Sequence, residues 1–413
     1  MKRAIEIAIL ALCTGCGAIL GFQDGSLALG KDGQPCQAGV TDQECASGLS
    51  CDEGTCRSPS SICARSDAGC LEGGNGDPTS GTVASFTGEP GGILAMNGYV
   101  YFAHDEVISG CAGQIPCPQP QIMYSNPIDP RPRILVNDGS LVAWADPVAG
   151  RLSRCFFGML MRCDTALSWD QPGIRAVTAD STTGDLFVVN GGTGPTGSAS
   201  DLRVISDRGG GSITTVATLP TANATSAIVS DGPQRKLVQI GRVAYSVFTP
   251  SGIDAGASIV NTLVDEGLAV SPPSTAAIMV VARRVVWTRT ADQGGGLSQC
   301  PILEGAVVCD PDSVRLFAGR NDEITAATST ADTVVWARHA VGVDEIYSCK
   351  PPIGDTSEHA CLPVLLAKVL RGRVSAIAIE PTPVGPNNPA RKVYYVVSDP
   401  STGATFIERG QIP

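Results

Sequence analysis

Sixteen cysteines and three histidines are the residues of this sequence with the most chemistry to offer. His104, His339 and His359 are its whole supply of imidazole, and a Ser-His-Asp or Cys-His mechanism needs one of them oriented as a base. His104 and His339 follow apolar runs carrying Phe102 and Trp336, which reads as solvated loop histidines near a sheet edge rather than at a catalytic centre. No G-x-S-x-G nucleophile elbow occurs. Gly192-Thr-Gly-Pro-Thr-Gly197 has the spacing of a dinucleotide phosphate loop, but Ser-Ala-Ser-Asp and another strand-like run follow it. A pyrophosphate needs a helix N-terminus there, so this stretch is read as a plain loop.

The cysteines fall into groups with different chemistry. Cys36, Cys45, Cys51, Cys56, Cys63 and Cys70 crowd residues 36–70, which carry almost no apolar filling. Such a segment cannot bury a core, so covalent staples must hold it. A zinc site is the rival reading, against which stand the absence of histidine and of any C-x-x-C pair there. Sequence does not choose among the disulfide pairings. The second group comes as close pairs, Cys111 with Cys117, Cys155 with Cys163, Cys300 with Cys309 and Cys349 with Cys361, each beyond a strand-ending aromatic. Pairs so close can bridge a hairpin, where facing Cα atoms approach to about 4.5 Å. Free or metal-binding thiols are the alternative.

The opening MKRAIEIAILALCTGC has a basic start and an apolar run too short for a bilayer, which needs about 20 residues, so it is an export signal. Its end, Cys13-Thr-Gly-Cys16, resembles a bacterial lipobox, which implies diacylation of Cys16. Cleavage after Ala28, leaving a soluble secreted chain, is the other reading. With Cys13 removed and Cys16 given to lipid, an even number of cysteines remains, as disulfides in an oxidising compartment require. The expected order is a signal over 1–16, a tether over 17–35, the six-cysteine module over 36–70, a glycine-rich linker over 71–81 and one large domain over 82–413.

Composition sets the class of that domain. Only 17% of residues are charged, while 48 are glycine and 29 proline, the profile of many short strands joined by turns. No long helical periodicity appears beyond the N-terminus. A net charge of −11 with no basic stripe excludes a nucleic-acid binder, which must neutralise phosphates.

The best-written unit is RVVWTRTADQGGGLSQCPILEGAVVC, from Arg284 to Cys309, and the rest of the domain varies it. Seven inner-strand signals (ILAM at 93, ILVN at 134, IRAVT at 174, SAIVS at 226, AAIMVV at 276, ITAAT at 324, VSAIAI at 374) recur along it. Each precedes a second strand: YVYF at 99, LVAW at 141, LFVV at 186, RVAY at 242, RVVW at 284, TVVW at 333 and KVYY at 392. That period predicts a seven-bladed β-propeller, six-bladed if the cysteine-free stretch 186–270 is irregular. The last blade has room for only one more strand near Ala404, so TVASF at 82–86 is expected to complete it and close the ring. Trp144, Tyr245, Trp287, Trp336 and Tyr395, one per blade, read as packing between blades rather than a sugar-stacking set.

Two family resemblances accompany this reading. GQPCQAGVTDQECASGLSCDEGTCR is similar to cysteine-rich modules of the dickkopf N-terminal type, which implies a spacer or protein-binding knob. The repeats resemble the disulfide-bearing propellers of bacterial surface lipoproteins, with V-x-W followed by I-x-x-C and a second Cys. The resemblance implies a lipid-anchored, monomeric module in the cell envelope, or periplasmic or secreted if unanchored, that binds an envelope protein or surface ligand and needs no cofactor. One alternative is a calcium-dependent propeller lactonase or esterase, whose ion would lie at the axial mouth among Glu89, Asp170, Asn223, Asp322, Glu323, Arg371 and Arg373. A carbohydrate-binding surface protein is the other. Candidate contact loops are 190–201, 248–257, 350–358 and 381–391.

Overall fold

In the computed structural model of the 413-residue chain, the residues described are 50–52, 55–57 and 81–412, except 113–116, 118–119, 126–131, 138–140, 157–161, 164–165, 194–196, 207–210, 222–225, 250–257, 266–276, 290–294, 304–305, 308, 310–314, 319–322, 341, 353–360, 371 and 382–390. The chain divides into two compact units, Met1–Ser66 and Asp67–Pro413. In the first, β1 (Ser50–Asp52) and β2 (Thr55–Arg57) form an antiparallel hairpin that sets Cys51 opposite Cys56. Cys16, Cys36, Cys45, Cys63 and Cys70 lie outside the described residues, as do the signal, tether and linker expected around them.

The second unit begins with β3 (Gly81–Thr87) and continues as seven small antiparallel sheets. Blade 1 is β4 (Pro90–Met96), β5 (Tyr99–His104), β6 (Val107–Cys111) and β7 (Gln121–Ser125); blade 2 is β8 (Ile134–Asn137), β9 (Leu141–Asp146), β10 (Arg151–Phe156) and β11 (Leu167–Asp170). Blade 3 is β12 (Ile174–Ala179), β13 (Leu186–Thr193), β14 (Ala199–Ile205) and β15 (Ile213–Leu219); blade 4 is β16 (Ser226–Asp231), β17 (Arg235–Ile240), β18 (Val243–Phe248) and β19 (Ile259–Asp265). Blade 5 has β20 (Ile278–Val281), β21 (Arg284–Thr288) and β22 (Gly296–Leu303), with β23 (Ala306–Val307) and β24 (Arg315–Ala318) both pairing with β22. Blade 6 is β25 (Glu323–Ser329), β26 (Val334–Ala340), β27 (Val343–Cys349) and β28 (Val364–Val369). Blade 7 is β29 (Arg373–Ile379), β30 (Arg391–Ser398), β31 (Ala404–Ile412) and, from the start of the domain, β3.

The first strands of the blades touch in the order β4, β8, β12, β16, β20, β25, β29 and back to β4, so the ring is closed. Its seven hydrophobic clusters each join two adjacent blades, and the core lies between sheets rather than at the axis. In each meander the first strand starts at one end of the ring, called here the mouth end, and the outer strand starts at the other, the far end.

Period-2 geometry explains the recurring phrase. Val285 and Trp287 lie two apart and face the same way, toward blade 4. Cys300 is the strand partner of Val285 and joins them on that face. The same relation sets Cys111 opposite Val100, Cys155 opposite Val142 and Cys349 opposite Val334. Trp144, Tyr245, Trp287, Trp336 and Tyr395 are all buried, 3% exposed or less, each against the blade before it.

Two sequence expectations need correction, and one alternative is settled. RVAY at 242 is not the second strand of blade 4 but lies in its third, β18; the second is RKLVQI, whose polar residues disguise it. The described residues of 186–270 form regular strands of blades 3 and 4, so the ring has seven blades and not six. Among the close cysteine pairs, Cys300 and Cys309 continue the register of the β22–β23 hairpin, whereas Cys111, Cys155 and Cys349 have valines, not their bonded cysteines, as strand partners. In each, the first cysteine belongs to the third strand and the second lies in the connection to the outer strand, with Cα separations of 6.0, 6.1, 4.9 and 5.8 Å, within disulfide reach.

These stapled connections touch the preceding blade. Cys117 N–H donates to the Val83 carbonyl at 2.7 Å and Cys163 N–H to the Met123 carbonyl at 2.8 Å, so each loop holds the outer strand of the blade before it. Cys309 and Cys361 join the clusters that include Leu263 and Leu316 of the outer strands β19 and β24. Cysteine-free blade 3 uses shape instead: at Gly211 (φ +83°) a Cβ would lie 2.5 Å from Trp169 Nε1 of blade 2.

Candidate functional site: the mouth of the ring

Residues that lead into the first strands meet at the mouth end, and their carboxylates are already engaged. Glu89, just before β4, is paired with Arg133, just before β8. Arg133 Nη1 also donates to the Pro90 carbonyl at 2.7 Å. Glu323, the first residue of β25, accepts from Arg373, the first residue of β29, at 2.7 Å. In both cases a carboxylate leading one blade is matched by a guanidinium leading the next.

Arg373 belongs to a larger group. Asp344 is fully buried, a position no carboxylate holds without partners. Its Oδ1 lies 2.5 Å from His339 Nδ1 and 3.7 Å from Arg373 Nε, while its Oδ2 accepts the Val374 N–H at 2.6 Å. This clamps β26 and β27 of blade 6 to β29 of blade 7. His339 is therefore a strand residue oriented by a buried acid, not the solvated loop residue that sequence suggested.

His104, the last residue of β5, is likewise built in. It stacks on Phe86 of the closing strand β3, with ring centroids 4.4 Å apart, and its Nε2 lies 3.0 Å from Ser109 Oγ. Burial lowers its pKa, which the neighbouring Asp105 only partly offsets. Ser109, His104 and Asp105 have the residue types of a hydrolytic triad. The geometry is not one: Ser109 is 3% exposed, and Asp105 Oδ2 is 3.9 Å from His104 Nδ1, beyond hydrogen-bond reach.

β-Bulges also mark this end. Register shifts between Ile174 and Ala176, Ile324 and Ala326, and Val374 and Ala376 insert Arg175, Thr325 and Ser375 as extra residues one turn of pleat inside the mouth. Bulges re-aim side chains, and all three of these are polar.

The calcium site of the lactonase alternative would meet competition among the described residues. Glu89 and Glu323 each face an arginine, and a cation would have to displace a guanidinium from each. Among the described residues no three His, Cys, Asp or Glu side chains are grouped to hold a metal. Asp170 is exposed at the end of β11, an outer strand, rather than on an approach to the axis. Asn223, Asp322 and Arg371 lie outside the described residues, as do most residues of the candidate loops 248–257, 350–358 and 381–391, while 190–201 is largely strand, the end of β13 and the start of β14. Sequence reasoning missed Arg133 and Asp344. Arg133 was accessible, because it precedes ILVN as Glu89 precedes the first inner strand; Asp344 carries no local mark.

A second ionic group ties blades 3 and 4 at the far end. Lys236 Nζ donates to Asp180 Oδ2 at 3.0 Å and to the Gly232 carbonyl at 2.7 Å, both side chains being buried. Burial lowers the Lys236 pKa. Burial alone would raise that of Asp180, but hydrogen bonds from Lys236 and the Thr182 N–H bring it below the usual carboxylate range.

No family model matches the sequence, and no curated protein matches it. Solved structures do. A chain of the mitotic checkpoint complex crystal structure superposes with a TM-score of 0.50 at 10% identity, over 82% of this chain and 97% of that one. The Cps50 β-propeller domain of Myceliophteria thermophila gives 0.47 at 10% identity, over 78% and 98%. The β-propeller domain of the trilobed protease from Pyrococcus furiosus gives 0.43 at 10% identity, over 76% and 93%. At such identity the likeness speaks to the fold alone.

Proposed function

We propose that this chain is an exported, lipid-anchored β-propeller that serves as a protein-binding or scaffold module at the bacterial cell envelope. The observation that supports it best is the state of the mouth. Glu89, Glu323 and Asp344 are engaged in blade-to-blade ion pairs and hydrogen bonds, and His339 is held by Asp344, which makes these four braces of a rigid rim rather than free ligands or bases. A rigid rim presents loops, and loops carry recognition. The lactonase alternative would need Glu89 and Glu323 for a metal, and they are paired elsewhere. The carbohydrate alternative would need open aromatic faces, while Trp144, Tyr245, Trp287, Trp336 and Tyr395 are buried.

Cross-linking in intact native cells, followed by non-reducing mass spectrometry, tests this reading. One recurrent protein partner together with an acylated Cys16 is the expected result. No partner, with an unmodified N-terminus at Leu29, would overturn it and direct attention to hydrolase substrates.

A further inference from the structure

Nine large apolar side chains are exposed among the described residues, and only Val148, between β9 and β10, is at the mouth end. The others gather at the far end. Ile122, Leu167, Ile213 and Ile259 are the first or second residues of the outer strands β7, β11, β15 and β19; Leu303 ends β22, and Leu362 lies two residues before β28. They supply one position on each of blades 1 to 6, between 43% and 85% exposed. Phe248 and Val364 add to the same rim. Isolated surface leucines need no explanation, but a level of apolar side chains repeated around one end of a ring does.

Blade 7 shows at which end the preceding chain enters. Its outer strand is β3, whose first residue, Gly81, stands where the other blades carry their apolar residue. The first 80 residues of the chain therefore join the propeller at the apolar end. We infer that the far end lies against a lipid bilayer, with the apolar rim in the boundary between headgroups and acyl chains. The inference rests on the reading of Cys16 as the lipid attachment site, because that places the bilayer at the end of the segment leading into Gly81. Side chains of this kind insert at an interface without any helix. With a net charge of −11 and no polybasic segment, the contact is apolar in origin. It requires no anionic lipid and does not weaken with salt.

Trp169 reports on this directly. It lies two residues beyond Leu167 on β11 and is partly exposed, whereas Trp144, Trp287 and Trp336 are buried. The full-length protein as purified from native cells is bound to phosphatidylcholine vesicles containing a lipid with a nitroxide near the top of its acyl chain, and Trp169→Phe assigns the Trp169 component of the emission. That component is expected to fall roughly two-fold against unlabelled vesicles, in low and high salt alike. The triple variant Leu167→Glu, Ile213→Glu, Ile259→Glu should lose the quenching while still floating with the vesicles, and Val148→Glu should keep it. Unquenched Trp169 on vesicles that carry the protein overturns the inference and leaves the anchor reading intact. Quenching with no acyl group on Cys16, read from the N-terminal peptide mass, upholds the inference and sinks the anchor. A dimer in lipid-free solution that the triple variant abolishes assigns the rim to a second copy of the chain, and also overturns it.

Discussion

Glu408 shows what a single buried carboxylate does in this fold. It faces Tyr395 across the β30–β31 pair, and the Thr82 hydroxyl donates to its Oε1 at 2.6 Å. Burial raises its pKa above the ordinary glutamate value, with the Thr82 bond only partly offsetting this. The sign follows from linkage: a carboxyl whose folded pKa lies above its unfolded one stabilises below the unfolded pKa, and that stability is lost as pH rises through the folded pKa. At pH 7 Glu408 is therefore a cost. Glu408→Gln keeps the size and the acceptor, and should raise the melting temperature at pH 7 by roughly 2 °C, the shift expected for about 1 kcal/mol in a domain of this size. The gain should shrink toward pH 4, where wild-type Glu408 is protonated. A melting series across that range checks it, and a variant less stable at pH 7 would show that the ionised carboxylate has a partner worth more than its desolvation.

At the scale of elements, the stapled connections are the unit to test. Cys111 and Cys117 close a short ring whose second cysteine holds β3 through the Val83 carbonyl. Replacing both with serine should cost about 2 kcal/mol through the unfolded chain. It should also speed amide exchange at position 117 while leaving exchange at residue 163, in the next stapled loop, unchanged. Equal acceleration at both would mean that the staples act on the ring as a whole rather than on one neighbouring strand. Elements were legible where chemistry and period agree, as in RVVW and TVVW. RVAY reads as the second strand of blade 4 because Arg235, Lys236 and Gln239 interrupt the apolar run of RKLVQI, and only Asp180 from the adjacent blade gives the buried Lys236 its partner. A further local signal was present in D-x-x-x-G. Asp146, Asp180 and Asp399 each accept backbone N–H groups two residues on, at 2.8, 2.9 and 2.8 Å, and so set the hairpin turns.

For the whole molecule the decisive contact is the one between the first and last strands of the propeller, β3 on β31. A chain starting at Gly88 would leave β31 with an open edge and blade 7 one strand short. It is expected to lose cooperative unfolding and to scatter light in proportion to concentration. A monomer that melts like its parent would show that closure is dispensable. By itself the sequence determined the class, the repeat, the number of blades, the buried aromatics and the pairing partners among the close cysteines, because each depends on residues within one blade's length of each other. The strand at 82–86 was also placed from sequence, since an incomplete last blade demands a donor. Only the tertiary structure decided which charges remain at the mouth. Glu89 and Arg133, or Glu323, Asp344 and Arg373, become partners through the turn from one blade to the next, and that separation carries no period of its own. For the same reason the apolar level at the far end was invisible in the linear chain: Ile122, Leu167, Ile213 and Ile259 are unremarkable singly, and share a level only when a closed ring points the starts of their outer strands to one end.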